Sequence, residues 1–387
     1  MRSSLVTLAC APLFLLAACD NGGPPPATDG GASGDAGPMN DGGGRDGGTG
    51  SDAGSGGNDA GGTLSDVHFI GRFDFSDGAS TPWFAWPGTQ IVARFRGTSI
   101  SVRLDDGGES FFDVWIDDVR QPVIDAMGGP TTYDLASGLT DGEHVVRIAR
   151  RTESFFGRTQ FLGFPGATLV PSPPPYAHLV EIIGDSITCG YGVLGDVPTC
   201  SFSADTESEP DAYGAVAART LGVAHAAIAY SGRGVYRNYG GAADPLMPEL
   251  YARRLAEFDT DPWDYSYTPD VVVITLGTND FSMGDPGTPF ADALDAFVQT
   301  LRGHYPSAVI LLGTSPMLGG SDHATHRGYL QDVVTRAAGR GDSHVSIVEF
   351  DEQSAADGIG CDYHPGVTTQ ANMAGRLVAA IQAATGW

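Results

Sequence analysis

Residues 179–188 read Leu-Val-Glu-Ile-Ile-Gly-Asp-Ser-Ile-Thr, and this stretch decides the fold of the C-terminal half of the chain. The first five residues form a short, mostly apolar run that is typical of a buried strand, and Gly-Asp-Ser is a turn sequence that ends it. The hydroxyl of Ser186 therefore lies at the carboxyl end of a strand. In open α/β folds, binding and catalytic groups collect at that end of the sheet.

The alternation of apolar runs and helical patterns continues from this stretch to the C-terminus. Strands that alternate with helices predict a parallel sheet with helices on both faces, because right-handed crossovers join the strands. We therefore predict a three-layer, flavodoxin-like α/β domain over residues 179–387. The predicted strands are 179–183, 224–229, 271–276, 309–313 and 345–350, and the predicted helices lie near 212–221, 289–304, 323–340 and 368–384.

Residues 64–170 have a different pattern, with short alternating runs bounded by Gly, Asp and Pro. This pattern predicts an antiparallel β-sandwich of jelly-roll type. Thr140-Asp141-Gly142 is predicted as a turn, and the proline-rich segment 171–178 as a stiff linker between the two domains. The predicted strands are 67–73, 91–95, 99–104, 111–116 and 144–149.

The N-terminus has the features of an export signal. A short apolar run follows Arg2, and Leu-Ala-Ala-Cys at residues 16–19 resembles the lipobox of a bacterial lipoprotein. We expect residues 1–19 to be a signal peptide, with Cys19 as the lipidated residue; a plain secretory signal is the alternative. Residues 20–63 are rich in Gly and Asp, which predicts a disordered tether. The expected location is the bacterial cell envelope, with membrane contact only through the lipid anchor.

The composition excludes several classes of partner and cofactor. The formal net charge is −26, whereas a nucleic-acid-binding protein needs a basic face. No zinc-type spacing of Cys and His is present, so we expect neither a metal nor a cofactor. Cys189, Cys200 and Cys361 allow at most one disulfide and leave one thiol over. Pairing of Cys189 with Cys200 or with Cys361 stays open.

Ser186 is a candidate nucleophile because three further segments can supply its partners. A serine hydroxyl needs a base to take its proton, and His364 in Asp362-Tyr363-His364-Pro365 is the best candidate. The carboxylate of Asp362 could orient the imidazole and stabilise the imidazolium. The Ser186 amide, the Gly232 amide and the Asn279 side chain could stabilise an oxyanion.

These segments together resemble the four blocks of SGNH hydrolases, also called the GDSL esterase superfamily, and most of all carbohydrate esterase family 2. The resemblance covers residues 64–387 and includes the order of the two domains. It implies that Ser186 is the nucleophile, that His364 is the base, and that Gly232 and Asn279 are oxyanion donors. It also implies metal-independent removal of acetyl groups from plant polysaccharides such as xylan or mannan.

One position departs from the superfamily pattern. The acid usually stands three residues before the histidine, whereas Asp362 stands two residues before His364. We favour a pairing of the Asp362 carboxylate with the imidazole, and orientation by a backbone carbonyl is the alternative. The resemblance also makes Tyr363 a candidate for stacking against sugar, and Tyr191, close after the nucleophile, is a second candidate.

The sequence therefore predicts an esterase that deacetylates an acetylated polysaccharide or oligosaccharide through an acetyl-enzyme. An SGNH lipase or thioesterase that acts on other acyl esters is one alternative. A non-catalytic surface protein that binds carbohydrate is another, although all the catalytic positions are filled. The sequence does not choose the sugar, the hydroxyl position or the oligomeric state.

Overall fold

The computed structural model describes residues 64–257 and 262–387. The predicted signal peptide, its Cys19 and the predicted tether at 20–63 lie outside the described residues. Within the two described ranges, no helix is long and apolar enough to cross a membrane.

Residues 67–169 form the antiparallel region, as the sequence predicted. Its nine strands belong to one sheet with the order β2-β8-β3-β7-β4-β5, while β1 and β9 pair with β3, and β6 pairs with β4. The sheet surrounds a core rich in phenylalanine that includes Phe95, Phe112 and Phe161. The strands are β1 (Val67–Ile70), β2 (Trp83–Phe84), β3 (Gln90–Asp106), β4 (Phe111–Ile116), β5 (Val119–Arg120), β6 (Ile124–Asp125), β7 (Gly129–Arg150), β8 (Thr159–Phe161) and β9 (Thr168–Leu169).

Two strands of this region are longer than the sequence suggested. The runs predicted at 91–95 and 99–104 are both parts of β3, and the turn predicted at 140–142 lies inside β7. The two strands pair along most of their length, with register shifts between Gly97 and Ser99 and between Ile100 and Ser101. Irregularities of this kind bend a strand without ending it. Gly97 and Gly142, which lie inside β3 and β7, were therefore wrongly interpreted as strand boundaries.

Residues 179–385 form the predicted α/β region. Its five strands are all parallel, in the order β11-β10-β12-β13-β14. The strands are β10 (Leu179–Gly184), β11 (Ala224–Ala229), β12 (Val271–Thr275), β13 (Val309–Gly313) and β14 (Val345–Val348). The helices are α1 (Ser186–Cys189), α2 (Tyr213–Leu221), α3 (Met247–Tyr251), α4 (Thr288–His304), α5 (Gly320–Gly339) and α6 (Val367–Thr385).

Helices cover both faces of this sheet, which makes three layers. Along β12, Val272 and Ile274 belong to the core that includes α4 and α5, whereas Val273 belongs to the core that includes α2 and α6. After β10 the chain forms β11 beside one edge of β10, and it then crosses over to form β12 beside the opposite edge of β10. The crevice at such a reversal is where ligands bind in open α/β sheets. The predicted site residues follow these strands.

The antiparallel region packs against the α/β region through a buried ion pair. Arg72 donates to Glu181 of β10 at 3.4 Å and to the Arg253 carbonyl at 2.9 Å, and it also donates to the Tyr251 carbonyl. The Tyr251 and Tyr267 hydroxyls donate to Glu181 at 2.7 and 2.6 Å. Both charged side chains are fully buried, so removal of either one would leave the charge of the other uncompensated inside the fold.

Candidate active site

The nucleophile turn is a short, closely packed connection between β10 and α1. Ser186 is the first residue of α1 and is 5% exposed. The Asp185 side chain caps the helix by accepting from the Ile187 amide at 3.0 Å. A Cβ on Gly184 would lie 2.0 Å from the Thr188 hydroxyl oxygen, so only glycine fits there. The Ser186 hydroxyl is thus held at the carboxyl end of β10.

His364 lies within hydrogen-bonding distance of this hydroxyl. Its Nε2 is 2.9 Å from Ser186 Oγ, and its Nδ1 is 3.0 Å from the backbone oxygen of Asp362. Because a carbonyl only accepts, Nδ1 carries the proton and Nε2 is left to accept from serine. Burial lowers the pKa of His364 below its usual value of 6.5. The imidazole is therefore neutral at pH 7 and can act as a base.

The Asp362 carboxylate does not pair with the imidazole. It accepts from the Tyr191 hydroxyl at 3.1 Å and from the Phe202 amide at 3.2 Å. Asp362 and Tyr363 both have left-handed backbone conformations, with φ of 49° and 61°, and this turns the Asp362 carbonyl toward His364. The predicted pairing is therefore wrong, and the backbone alternative is the one found. Spacing alone could not reveal this local conformation.

The predicted oxyanion donors lie on one connected set of loops. Gly232 has a φ of +77°, and no described group accepts from its amide. The Asn279 side-chain nitrogen donates to Asp185 at 3.2 Å and to the Arg233 carbonyl at 2.9 Å. Asn279 therefore joins the nucleophile turn to the loop of Gly232. Burial raises the pKa of Asp185 to about 7.

The two candidate sugar-stacking residues differ in their surroundings. Tyr191 stacks on Phe202 with a centroid distance of 3.6 Å, and its ring centroid lies 4.3 Å from that of His364. Tyr363 is 58% exposed and directly precedes the histidine. Tyr191 thus packs against the imidazole, whereas Tyr363 offers an aromatic surface to solvent beside Ser186 and His364.

Two family models together match most of residues 64–387. A model described as Carbohydrate esterase 2 N-terminal matches residues 69–173, and one described as GDSL-like Lipase/Acylhydrolase family matches residues 182–371. The solved structure of a family two carbohydrate esterase from Clostridium thermocellum in complex with cellohexaose is 39% identical, with a TM-score of 0.79. That similarity covers 83% of this chain and 99% of that one. The chain belongs to carbohydrate esterase family 2.

Two curated relatives extend this comparison. Cellulase/esterase CelE of Acetivibrio thermocellus is 40% identical over 83% of this family 2 chain, but the chain spans only 40% of the length of CelE. An acetylxylan esterase / glucomannan deacetylase of Cellvibrio japonicus is 28% identical over 84% of the chain and 90% of its own length.

A disulfide fixes the histidine loop of this family 2 chain. Cys200 is bonded to Cys361, and Cys189 is a buried free thiol. The two pairings left open by the sequence are therefore both wrong, although one disulfide and one remaining thiol were expected. The Cys200 carbonyl also accepts from the Asp362 amide at 3.0 Å, and the Pro198 carbonyl accepts from Tyr363 at 3.1 Å. The disulfide and these bonds hold the backbone that orients His364.

Two side chains that hold the loop of Gly232 were not predicted from the sequence. Asp280 accepts from the amides of Tyr236 and Arg237 at 2.8 and 2.9 Å, which holds the segment after Gly232. Its neighbour Asn279 was the only signal that Asp280 might matter. Glu153, from the antiparallel region, contacts Ser231, and no local pattern indicated it.

Proposed function

We propose that the chain is a serine esterase that removes O-acetyl groups from a polysaccharide of the xylan or mannan type. The observation that carries this proposal is the 2.9 Å contact between His364 Nε2 and Ser186 Oγ, with Nδ1 bonded to a carbonyl. A hydroxyl paired in this way with a neutral imidazole is a nucleophile poised for acyl transfer.

The first half of the proposed reaction forms an acetyl-enzyme. Ser186 Oγ attacks the acetyl carbonyl carbon while His364 Nε2 takes the hydroxyl proton. The carbonyl oxygen becomes an oxyanion that accepts from the amides of Ser186 and Gly232, and from Asn279 once its side-chain nitrogen turns one N–H from the Asp185 carboxylate to the oxyanion. Each such donor contributes roughly 3–4 kcal/mol to the transition state. The intermediate collapses, the bond to the sugar oxygen breaks, and His364 returns its proton to that oxygen.

The second half releases acetate. Water replaces the sugar hydroxyl, gives its proton to His364 and attacks the acetyl-enzyme carbonyl. The second tetrahedral intermediate uses the same donors. Its collapse breaks the bond to Ser186 Oγ, which regains its proton from His364. The cycle consumes one ester and one water, and needs no other reactant.

A polysaccharide substrate is supported by the relatives and by the site. The Cellvibrio japonicus relative is named an acetylxylan esterase / glucomannan deacetylase, and the Clostridium thermocellum structure contains cellohexaose. The exposed Tyr363 supplies a flat apolar surface of the type that stacks on sugar rings. A sugar stacked on Tyr363 would lie beside His364, and this supports the proposed substrate class.

Turnover of an aryl acetate tests the reaction, and Ser186→Ala is the decisive variant. Loss of the nucleophile should lower kcat by roughly 10⁴-fold or more, since only binding and oxyanion donors remain. Ser76→Ala, which removes an exposed hydroxyl in the antiparallel region, is the matched control. Activity of Ser186→Ala near the wild-type level would contradict the proposal. Acetate released from acetylated xylan and glucomannan, followed by NMR, then tests the substrate class.

We also propose that residues 1–19 act as a lipoprotein signal and that Cys19 carries a lipid, with 20–63 as the tether. The lipobox-like sequence supports this proposal. The full chain expressed in a bacterium should fractionate with membranes, and Cys19→Ala should release it. Equal fractionation of the two proteins would count against the anchor.

A further inference from the structure

A buried acid of the antiparallel region contacts the loop that carries the Gly232 amide. Glu153 lies just after β7 and is fully buried. Its carboxylate accepts from the Ser231 amide at 2.7 Å and also from the Ser231 hydroxyl. Ser231 directly precedes Gly232, so both contacts fall one residue before the proposed oxyanion donor.

The Glu153 backbone has a rigid support of its own. The fully buried guanidinium of Arg150 donates to the carbonyls of Thr152 at 2.9 Å, Glu153 at 3.3 Å and Gly157 at 2.7 Å. The Glu153 amide donates to a carboxylate oxygen of Glu207 at 2.9 Å. The Glu153 backbone, from which the carboxylate extends, is therefore held on both sides by buried groups.

The loop that contains Ser231 carries one proposed oxyanion donor, Gly232, and contacts the other, Asn279. Downstream of Ser231, the Gly232 carbonyl accepts from the Tyr239 amide at 2.9 Å. The Arg233 carbonyl accepts from Asn279 at 2.9 Å. Gly232 has no side chain to pack, so its peptide direction depends on these flanking contacts. Glu153 provides the contact on the upstream side.

We propose that Glu153 is a positioning residue for the oxyanion site, which directs the Gly232 amide through its two hydrogen bonds to Ser231. The inference rests on the proposed esterase reaction. Glu153 touches neither substrate nor reacting atoms, and it acts only through the backbone of the loop. The antiparallel region thereby contributes to catalysis in the α/β region.

The charge state of the acid pair makes a conservative variant informative. Burial raises the pKa of both Glu153 and Glu207, and the Glu153 charge raises the pKa of Glu207 further. Burial therefore disfavours the charged form of Glu153, and we expect an uncharged amide to be accommodated at this position. In Glu153→Gln, the side-chain oxygen can accept from the Ser231 amide while its nitrogen donates to the Ser231 hydroxyl. Both contacts survive, although the charge is lost.

The test compares kcat and KM for 4-nitrophenyl acetate among Glu153→Ala, Glu153→Gln and the control Asp113→Asn. Asp113 is another buried acid of the antiparallel region, bonded to Arg151 and Arg120. Loss of a whole oxyanion donor lowers kcat by about 10²–10³-fold, and a displaced donor by less. We expect Glu153→Ala to lower kcat by about 10- to 100-fold with KM within about threefold. Glu153→Gln should stay within about threefold of wild type.

Three outcomes would overturn the inference. In the first, Glu153→Ala has the same kcat as Asp113→Asn. In the second, Glu153→Gln loses as much kcat as Glu153→Ala. In the third, Glu153→Ala changes KM and leaves kcat unchanged. If Glu153→Ala does not fold, Ser231→Ala decides. It removes one of the two contacts and should lower kcat by about three- to tenfold, whereas Ser231→Thr should not. Equal kcat values for these two variants would refute the role of Glu153.

The same experiment separates this inference from the proposed function. If the wild type and Ser186→Ala turn over the aryl acetate at the same rate, the proposed esterase reaction itself is contradicted. An active, Ser186-dependent wild type that is insensitive to Glu153→Ala would contradict only the positioning role.

Discussion

Asp362→Asn separates the two ways of orienting His364. The variant removes the carboxylate charge, but it keeps the backbone carbonyl that accepts from His364 Nδ1 at 3.0 Å. Asparagine is the suitable replacement because residue 362 has a φ of 49°, and asparagine tolerates this left-handed conformation. The loop should therefore keep its shape while the side chain changes.

The structure predicts a small effect on turnover. A carboxylate that orients the catalytic imidazole contributes a factor of about 10⁴ to kcat. The Asp362 carboxylate instead accepts from Tyr191 and Phe202 through one oxygen, Oδ2, and the asparagine oxygen can accept both bonds from that position. Its remaining influence on the imidazolium is that of an exposed charge a few ångströms away, roughly 1 kcal/mol. We expect kcat to fall about fivefold, and less than tenfold.

Stability should change more clearly than turnover. A hydrogen bond contributes about 1.5–3 kcal/mol when its acceptor is charged and about 0.5–1.5 kcal/mol when it is neutral, so loss of the charge from these two bonds should lower the free energy of unfolding by about 2 kcal/mol. The assay is kcat with 4-nitrophenyl acetate at pH 8, together with thermal unfolding. Asp357→Asn, a change of an acid a few residues earlier, is the control. A loss of 10³-fold or more in kcat for Asp362→Asn would refute orientation by the backbone.

Two further predictions concern pH and the disulfide. Since His364 must be neutral to accept the Ser186 proton and burial lowers its pKa, kcat/KM should rise with pH to a plateau, with a midpoint below 6.5. A midpoint at 7 or above in the pH–rate profile would contradict this. Replacement of Cys200 and Cys361 by serine opens a loop with a sequence separation of 161, which should lower the free energy of unfolding by about 5 kcal/mol and Tm by about 7 °C. Calorimetry that finds the same Tm as wild type would rule this out.

The α/β region was predictable because its signals are local. Each strand is a short apolar run, as at 271–275, and both faces are buried, so the pattern needs no knowledge of neighbours. Ser186, Gly232 and Asn279 followed from the same logic, since groups at strand ends share one edge of a sheet. His364 followed instead from its place in a loop just before the last predicted helix. The antiparallel region was predicted in kind but not in detail, because glycine marks bulges as well as turns.

The remaining errors concern contacts between distant parts of the chain or local backbone geometry. The Cys200–Cys361 bond depends on the path of the loop after α1, which has no periodic pattern. The direction of the Asp362 carbonyl depends on the positive φ angles of Asp362 and Tyr363. The contact of Glu153 with Ser231 crosses from one region to the other over 78 residues. A single sequence shows composition and spacing, and none of these three features follows from either.

The buried pair of Arg72 and Glu181 limits how freely these two regions can be exchanged in evolution or in engineering. A chimera that takes residues 64–170 from another protein without a matching cation leaves Glu181 buried without its cationic partner, with the hydroxyls of Tyr251 and Tyr267 still bonded to it. Removal of one partner of such a pair costs about 3–5 kcal/mol, a large part of the stability of a typical domain. We therefore expect a graft that respects the sequence boundary at the prolines to lose stability unless it also carries both charges.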